Sequence, residues 1–192
     1  MINIVALMGP SGSGKTTLAK YMNLRKVTTF TTRGIRQGER DGVDYFFMSE
    51  KEFLRLYDEG ELLERTEYGG NLYGTGIEPL RAAISRGNVV SIVIDINGAR
   101  RLREVFPDNL LIVGISSPMQ ECIDRMVERG EPEIERRSQL HGEETRGVME
   151  VSDMIINNSK ENWWKSRLVV EALGKSLVEQ DLRENHPADD AG

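Results

Sequence analysis

Gly9-Pro10-Ser11-Gly12-Ser13-Gly14-Lys15-Thr16 follows the apolar run Ile2 to Met8 and leads into a stretch with helical patterning, Lys15 to Leu24. The apolar run is short and stops at Gly-Pro, as a buried strand does. The octapeptide fits G-x-x-x-x-G-K-[ST] at every position, in the strand–turn–helix context where that pattern has physical meaning. Its glycines allow backbone conformations that aim successive N–H groups inward at phosphate oxygens. The helix that starts there adds the positive end of its dipole. Lys15 is placed to reach the β- and γ-phosphates, and the Thr16 hydroxyl to ligate Mg²⁺. Gly9, Ser11, Gly12, Ser13, Gly14, Lys15, Thr16 and Thr17 are therefore the expected triphosphate-binding residues. The motif defines a nucleoside-triphosphate site and leaves the reaction open.

Outward from this loop, Val89 to Ile94 and Leu110 to Ile115 read as two more buried strands, and Val27 to Thr32 and Met154 to Ile156 as shorter ones. Helices fall between them. Ser49 to Glu52 has capping-box spacing ahead of Phe53, Leu54, Leu56 and Tyr57, with Gly60 as the stop. Ile77 to Arg86 ends at Gly87, and Gly98 to Val105 ends near Pro107. Ser117-Pro118 opens a further helix, with Pro118 at the first helical position and Gln120 at the capping-box place. Glu131 to Glu150 is charged and helical, and Asn158 to Glu161 caps a long last helix. Glu61 to Tyr73 reads as two short strands around Gly69-Gly70-Asn71. Apolar strands alternating with helices predict an α/β fold with a parallel sheet, a P-loop three-layer α/β/α core. Arg33 to Tyr73 is a mixed insertion within one folded unit.

The chain has 192 residues, a net charge of −6 and 39% hydrophobic residues, an ordinary globular composition for a single domain. No apolar run reaches the ~20 residues that span a bilayer, and the N-terminus lacks the order of a secretory signal. A single cysteine, Cys122, excludes an internal disulfide framework and fits a reducing, cytoplasmic setting. Two histidines, His141 and His186, with that cysteine cannot build a usual zinc site. The acidic balance argues against nucleic acid as a partner. Of the 25 cations, 18 are Arg, the side chain suited to gripping phosphate with two donors at once.

An enzyme that moves a phosphoryl group needs an acceptor site facing the first. Arg33 and Arg36 lie three apart in a short loop after a strand, so two guanidinium forks are available to one phosphate. Tyr45 and Tyr73 add two hydroxyls. The segments Gly9 to Leu18 (GPSGSGKTTL), Thr31 to Phe47 (TTRGIRQGERDGVDYFF), Glu61 to Thr75 (ELLERTEYGGNLYGT) and Ile94 to Ala99 (IDINGA) occur in this order. Together they resemble guanylate kinase, a nucleoside monophosphate kinase that uses ATP and GMP, over about Ile4 to Asn157.

The resemblance implies roles residue by residue. Arg33, Arg36, Tyr45 and Tyr73 would hold the GMP phosphate, and Glu39 would orient the arginine pair. Thr29 and Thr75 would stand near guanine O6, and Glu64 and Asp95 would accept from N1–H and the N2 amino group. The chemistry agrees: guanine offers an acceptor at O6 and donors at N1 and N2, whereas adenine would leave both carboxylates facing an acceptor. Arg125, Arg129 and Arg137 would come over the triphosphate from a mobile lid and share with Lys15 and Arg33 the stabilisation of the transferring group. Glu residues are interleaved with them, so a solvated helix face is the competing reading. Asn157 would lie near the adenine of ATP. The implied division is a core of 1–30, 81–123 and 146–184, an acceptor-binding region 31–80, a lid 124–145 and a frayed tail 185–192. The implied cofactor is Mg²⁺ with ATP, and the implied assembly a monomer or homodimer.

The chain also departs from the family pattern. The segment between the phosphate loop and the arginine pair is short, and so is the lid, which leaves Arg136 and Arg137 both open as the last lid arginine. Val93 stands where an acidic residue is usual, and Ile35 where a Pro is. These departures point to a divergent member, of the kind a virus carries, with acceptor choice widened to dGMP. The other readings are a kinase of another phosphorylated small molecule and a guanylate-kinase-like binding module, the latter disfavoured by the intact Gly14-Lys15-Thr16. Arg100, Arg101 and Arg103 read as surface charge, Trp163 and Trp164 as docking the last helix, and Cys122 as a small buried residue.

Overall fold

The computed structural model describes residues 1–85, 88–131 and 134–185. β1 (Ile4–Met8) is buried along its whole length, which is why it reads as an unbroken apolar run. α1 (Lys15–Met22) starts from Gly14, whose backbone is left-handed at φ 94°. β2 (Arg25–Lys26) and β3 (Thr29–Thr31) follow, where one strand over Val27 to Thr32 was expected. The break has a tertiary cause. Arg25 and Lys26 pair in one sheet and Thr29 to Thr31 in another, while Val27 between them is 2% exposed in the core. β4 (Tyr45–Phe47) lies parallel to β3, a strand the sequence reading did not include.

α2 (Glu50–Asp58) has its expected capping box, Ser49 and Glu52 each bonding the other's backbone N–H. β5 (Thr66–Tyr68) and β6 (Asn71–Gly74) form the expected hairpin. Its turn residues Gly69 and Gly70 have φ of 58° and 68°, the conformation that matches strand twist in two-residue turns. α3 (Ile77–Ile84), β7 (Val90–Val93), α4 (Ile96–Val105) and β8 (Leu110–Ser116) come next. The expected stop at Gly87 lies outside the described residues. α4 begins earlier than expected because the Asp95 side chain accepts from the Gly98 N–H and caps it.

α5 (Met119–Glu128) corrects the sequence reading: Pro118 is the cap residue itself, with no side-chain cap bond. Gln120 bonds Asp124 instead of closing a box, and the Ser117 hydroxyl donates to the Asn158 carbonyl. α6 (Ile134–Val151), β9 (Met154–Asn157) and α7 (Trp163–Asn185) complete the described chain. The frayed tail expected from 185 onward falls almost wholly outside it.

The central sheet runs β2-β7-β1-β8-β9, all parallel. Alternate β1 side chains serve opposite faces. Ile4, Ala6 and Met8 pack with Leu80, Ala83, Ala99, Leu102 and Val148 of α3, α4 and α6. Val5 and Leu7 pack with Leu18, Met22, Val170 and Leu177 of α1 and α7. Helices thus cover both faces, giving three layers. The second sheet, β4-β3-β6-β5, carries its own small core of Phe53, Leu62 and Leu72. Trp163 meets Tyr21 edge to face at 5.6 Å and docks α7 as expected, whereas Trp164 is 59% exposed and does not. Cys122 is buried. No helix of the described residues is long and apolar enough to cross a membrane.

Candidate active site

The carboxyl ends of β1 and β7 and the second sheet enclose a cavity of about 370 Å³. This is where open parallel sheets place ligands. Gly9, Ser11, Gly12, Gly14, Lys15, Thr16 and Thr17 form one side. Gly12 and Gly14 are glycines for two reasons. Their φ values are 76° and 94°, and a Cβ would come 2.4 Å from the Cys122 carbonyl oxygen or 2.3 Å from Asn158 Nδ2. Lys15 Nζ is folded back, donating to the carbonyls of Gly9 at 2.7 Å and Pro10 at 2.8 Å. Burial holds its pKa below the usual lysine range. Ser13 does not line the cavity. It is fully buried beneath the loop, its hydroxyl without a hydrogen-bond partner.

The opposite side comes from the second sheet and the loop that follows β3. Arg33 donates two bonds to Glu39, at 3.0 and 2.8 Å, and the same carboxylate accepts from the Arg36 backbone N–H at 2.9 Å. Burial works to raise the Glu39 pKa, yet the Arg33 bonds hold it below the usual range, so the pair stays charged. The Arg33 guanidinium lies 5.4 Å from the centre of the Tyr45 ring, and Tyr45 and Tyr73 are 6.2 Å apart edge to face. Burial raises the Tyr45 pKa, so its hydroxyl remains a donor.

Further in, Thr29 and Thr75 are buried and line the cavity with Glu64 and Asp95. The Thr75 hydroxyl donates to Glu64 Oε1 at 3.0 Å, and Glu64 Oε2 is buried with no partner. Burial, then the nearby charge of Asp95, push the Glu64 pKa up to about 7. An orphaned carboxylate oxygen in a pocket is a ready acceptor for a ligand N–H.

Arg129 and Arg137 line the same cavity, and Arg137 rather than the exposed Arg136 faces it. Arg125 does not join them. Its Nη1 donates to the Gly12 carbonyl at 3.0 Å and Ser117 Oγ at 2.9 Å, and its Nη2 to Glu121 and the Asn158 carbonyl, each at 3.0 Å. It braces the phosphate loop from behind, assisted by Asn158, whose Nδ2 donates to the Ser13 carbonyl at 2.7 Å. Asn157 is exposed at the end of β9 and does not line the cavity.

Four charged lining residues were not among those expected: Lys26, Asp44, Glu131 and Glu144. Glu144 accepts from the Ser11 backbone N–H, and burial raises its pKa while the charge of Lys15 opposes that. Its Oε2 is buried without a partner. The signal for Glu144 was its spacing, seven residues after Arg137 on one helix face. Among the described residues no group of three or more His, Cys, Asp or Glu could cage a metal ion. The donor set instead fits Mg²⁺ brought by phosphates: the exposed Thr16 hydroxyl faces the cavity, and Glu144 Oε2 is free to accept from a metal-bound water.

A parallel sheet with a phosphate loop at its switch point, facing a second cluster of arginines, is the architecture of a P-loop kinase. Comparison with known proteins narrows the class. A family model described as guanylate kinase matches residues 1–167. The guanylate kinase of Thermobifida fusca (strain YX) is 38% identical over 164 residues, covering 81% of this chain and 84% of that protein. That of Shouchella clausii (strain KSM-K16) is 34% identical over 173 residues, covering 86% and 84%. The crystal structure of guanylate kinase from Anaplasma phagocytophilum superposes with a TM-score of 0.69 at 26% identity, covering 98% of this chain and 97% of that one. The chain belongs to the guanylate kinase family, whose members are nucleoside monophosphate kinases.

Proposed function

We propose that this chain transfers the γ-phosphoryl group of ATP to GMP or dGMP, giving ADP and the nucleoside diphosphate. The observation that carries the reading is the set Glu64, Thr75, Thr29 and Asp95, which lines one cavity together with the phosphate loop. One carboxylate there has an orphaned oxygen that can accept, and the threonine hydroxyls beside it can donate. Guanine N1–H and the N2 amino group meet those acceptors and its O6 meets the hydroxyls, a match that adenine lacks.

In the proposed complex Arg33, Arg36, Tyr45 and Tyr73 hold the acceptor phosphate. Glu39 keeps the arginines in place. Lys15 leaves the Gly9 and Pro10 carbonyls for the β- and γ-phosphate oxygens, and the loop N–H groups close around them. An oxygen of the acceptor phosphate attacks the γ-phosphorus in line as the bond to the β-bridging oxygen breaks. Lys15, Arg33, Arg129 and Arg137 spread the charge that develops. The attacking phosphate is already anionic near neutral pH, so no general base is required. Mg²⁺ bound with ATP would be held by Thr16 and would supply neutralisation of the triphosphate charge. Region 31–80 acts as the acceptor-binding part and 124–145 as the lid. Arg125 supports the loop from outside.

The test is ADP release with ATP and each of GMP, dGMP, AMP, dAMP, UMP and CMP. Turnover confined to the guanine nucleotides supports the reading, and turnover with none of them favours a binding module. Val93 lines the cavity, and an apolar residue there fits a site that also takes dGMP. Comparable kcat/KM for GMP and dGMP supports that extension, and a strong GMP preference removes it.

A further inference from the structure

Glu131 ends the turn after α5, its N–H on the Met126 carbonyl at 3.0 Å, and its side chain is 5% exposed. Three guanidinium groups from three segments converge on it. Oε1 takes Arg129 Nη2 at 2.7 Å and stands 3.6 Å from Arg36 Nη1, and Oε2 takes Arg137 Nη1. Arg36 belongs to the acceptor loop, Arg129 to the end of α5 and Arg137 to the first turns of α6. Arg33 has its own carboxylate, Glu39, within that loop. The partner of the Arg36 guanidinium is Glu131, supplied from the other side of the cavity.

The three contacts are unequal. Arg137 is 6% exposed and forms a fixed buried pair with Glu131, whereas Arg36 at 41% and Arg129 at 51% are free to turn. Oε1 is shared between those two, and Arg129 holds the shorter contact.

We propose that Glu131 is a positioning residue that couples the two nucleotide sites through this shared oxygen. It rests on the two-nucleotide reading above. When triphosphate oxygens draw Arg129 away, Oε1 is left to Arg36, which closes from its long contact to hydrogen-bond distance and is fixed beside the acceptor phosphate. Donor binding thereby pre-orients an acceptor ligand, and by linkage the acceptor strengthens donor binding by the same factor.

The experiment is calorimetric titration of GMP into the protein alone and into the protein saturated with Mg²⁺ and a non-hydrolysable ATP analogue. In the unsubstituted chain the analogue should tighten GMP binding by about fivefold or more. In Glu131→Gln that factor should fall to within about twofold of unity. Glu131→Asp keeps the buried charge but withdraws the carboxylate by one methylene. It should give an intermediate factor, and it decides the matter if a melting curve shows the Gln variant unfolded. A coupling factor equal in the parent and a folded variant overturns the proposal, as does a parent with no coupling. A parent that binds neither nucleotide removes the proposed function itself, a distinct result.

Discussion

Glu64 offers a pH-dependent test of the base pocket. Burial and Asp95 raise its pKa to about 7, against 4.5 for a free glutamate. At pH 8 the carboxyl is about nine-tenths ionised and at pH 6 about one-tenth, by the titration relation. The proposed contact needs the carboxylate, because a protonated Oε2 presents a hydrogen to guanine N1–H. GMP affinity should therefore fall about tenfold from pH 8 to pH 6 through this group alone, about 1.3 kcal/mol. The substrate phosphate also titrates near pH ~6, and Glu64→Gln separates the two effects. The variant keeps the phosphate titration and loses the carboxyl one, so the difference between the two Kd profiles isolates Glu64. Stability moves in the opposite sense. The native state binds the Glu64 proton more tightly than the unfolded chain, so the parent loses stability relative to the Gln variant as pH rises from about 4.5 to about 7. The full difference, at most about 3 kcal/mol, is reached above that window. Parallel Kd profiles for parent and variant, or a melting difference independent of pH, would refute the assignment.

Lys15→Ala should lower kcat by about 10²-fold or more, through loss of charge stabilisation at the transferring group. Its melting temperature should hold, because burial already disfavours the Lys15 charge; near-parent activity contradicts the mechanism. Arg125→Ala removes four hydrogen bonds behind the phosphate loop. It should cost about 2–3 kcal/mol of stability and weaken ATP binding together. Lost activity with an unchanged melting curve would return Arg125 to the phosphates. Asp95→Ala removes the cap of α4, about 1 kcal/mol, and should raise KM for GMP while leaving that for ATP near the parent value. A rise in both would place Asp95 outside the base pocket.

The phosphate loop was legible in the sequence because its requirements are local. Its three glycines have positive φ, and a Cβ there would strike Ile115, Cys122 or Asn158. The Ser49–Glu52 box and the Gly69-Gly70 turn were legible for the same reason. The break between β2 and β3 was not. Val27 to Thr32 suits a strand throughout, yet the Val27 N–H bonds the Ser91 carbonyl in the central sheet while Thr29 to Thr31 pair in the second. Arg125 and Arg129 share a helix face by spacing, yet one braces the loop and the other lines the cavity, a difference that depends on what packs beside α5. Glu131 and Glu144 looked like the solvated carboxylates of a charged helix. Their burial comes from the arginines and the loop N–H that tertiary structure brings to them. Pro118 has the composition of a first helical residue but caps α5 without a side-chain bond, while Ser117 is taken by Asn158.

In the proposed complex one cavity holds ATP against the phosphate loop and a guanine monophosphate against Glu64, Thr75 and Asp95. The most direct test of that arrangement is the rate of ADP release with ATP, Mg²⁺ and GMP, set beside the same assay with AMP and with Glu64→Ala. Rapid turnover with GMP, little with AMP, and a raised KM for GMP in the variant with KM for ATP unchanged are expected. Equal rates with GMP and AMP, or an unchanged KM for GMP in the variant, would contradict that arrangement.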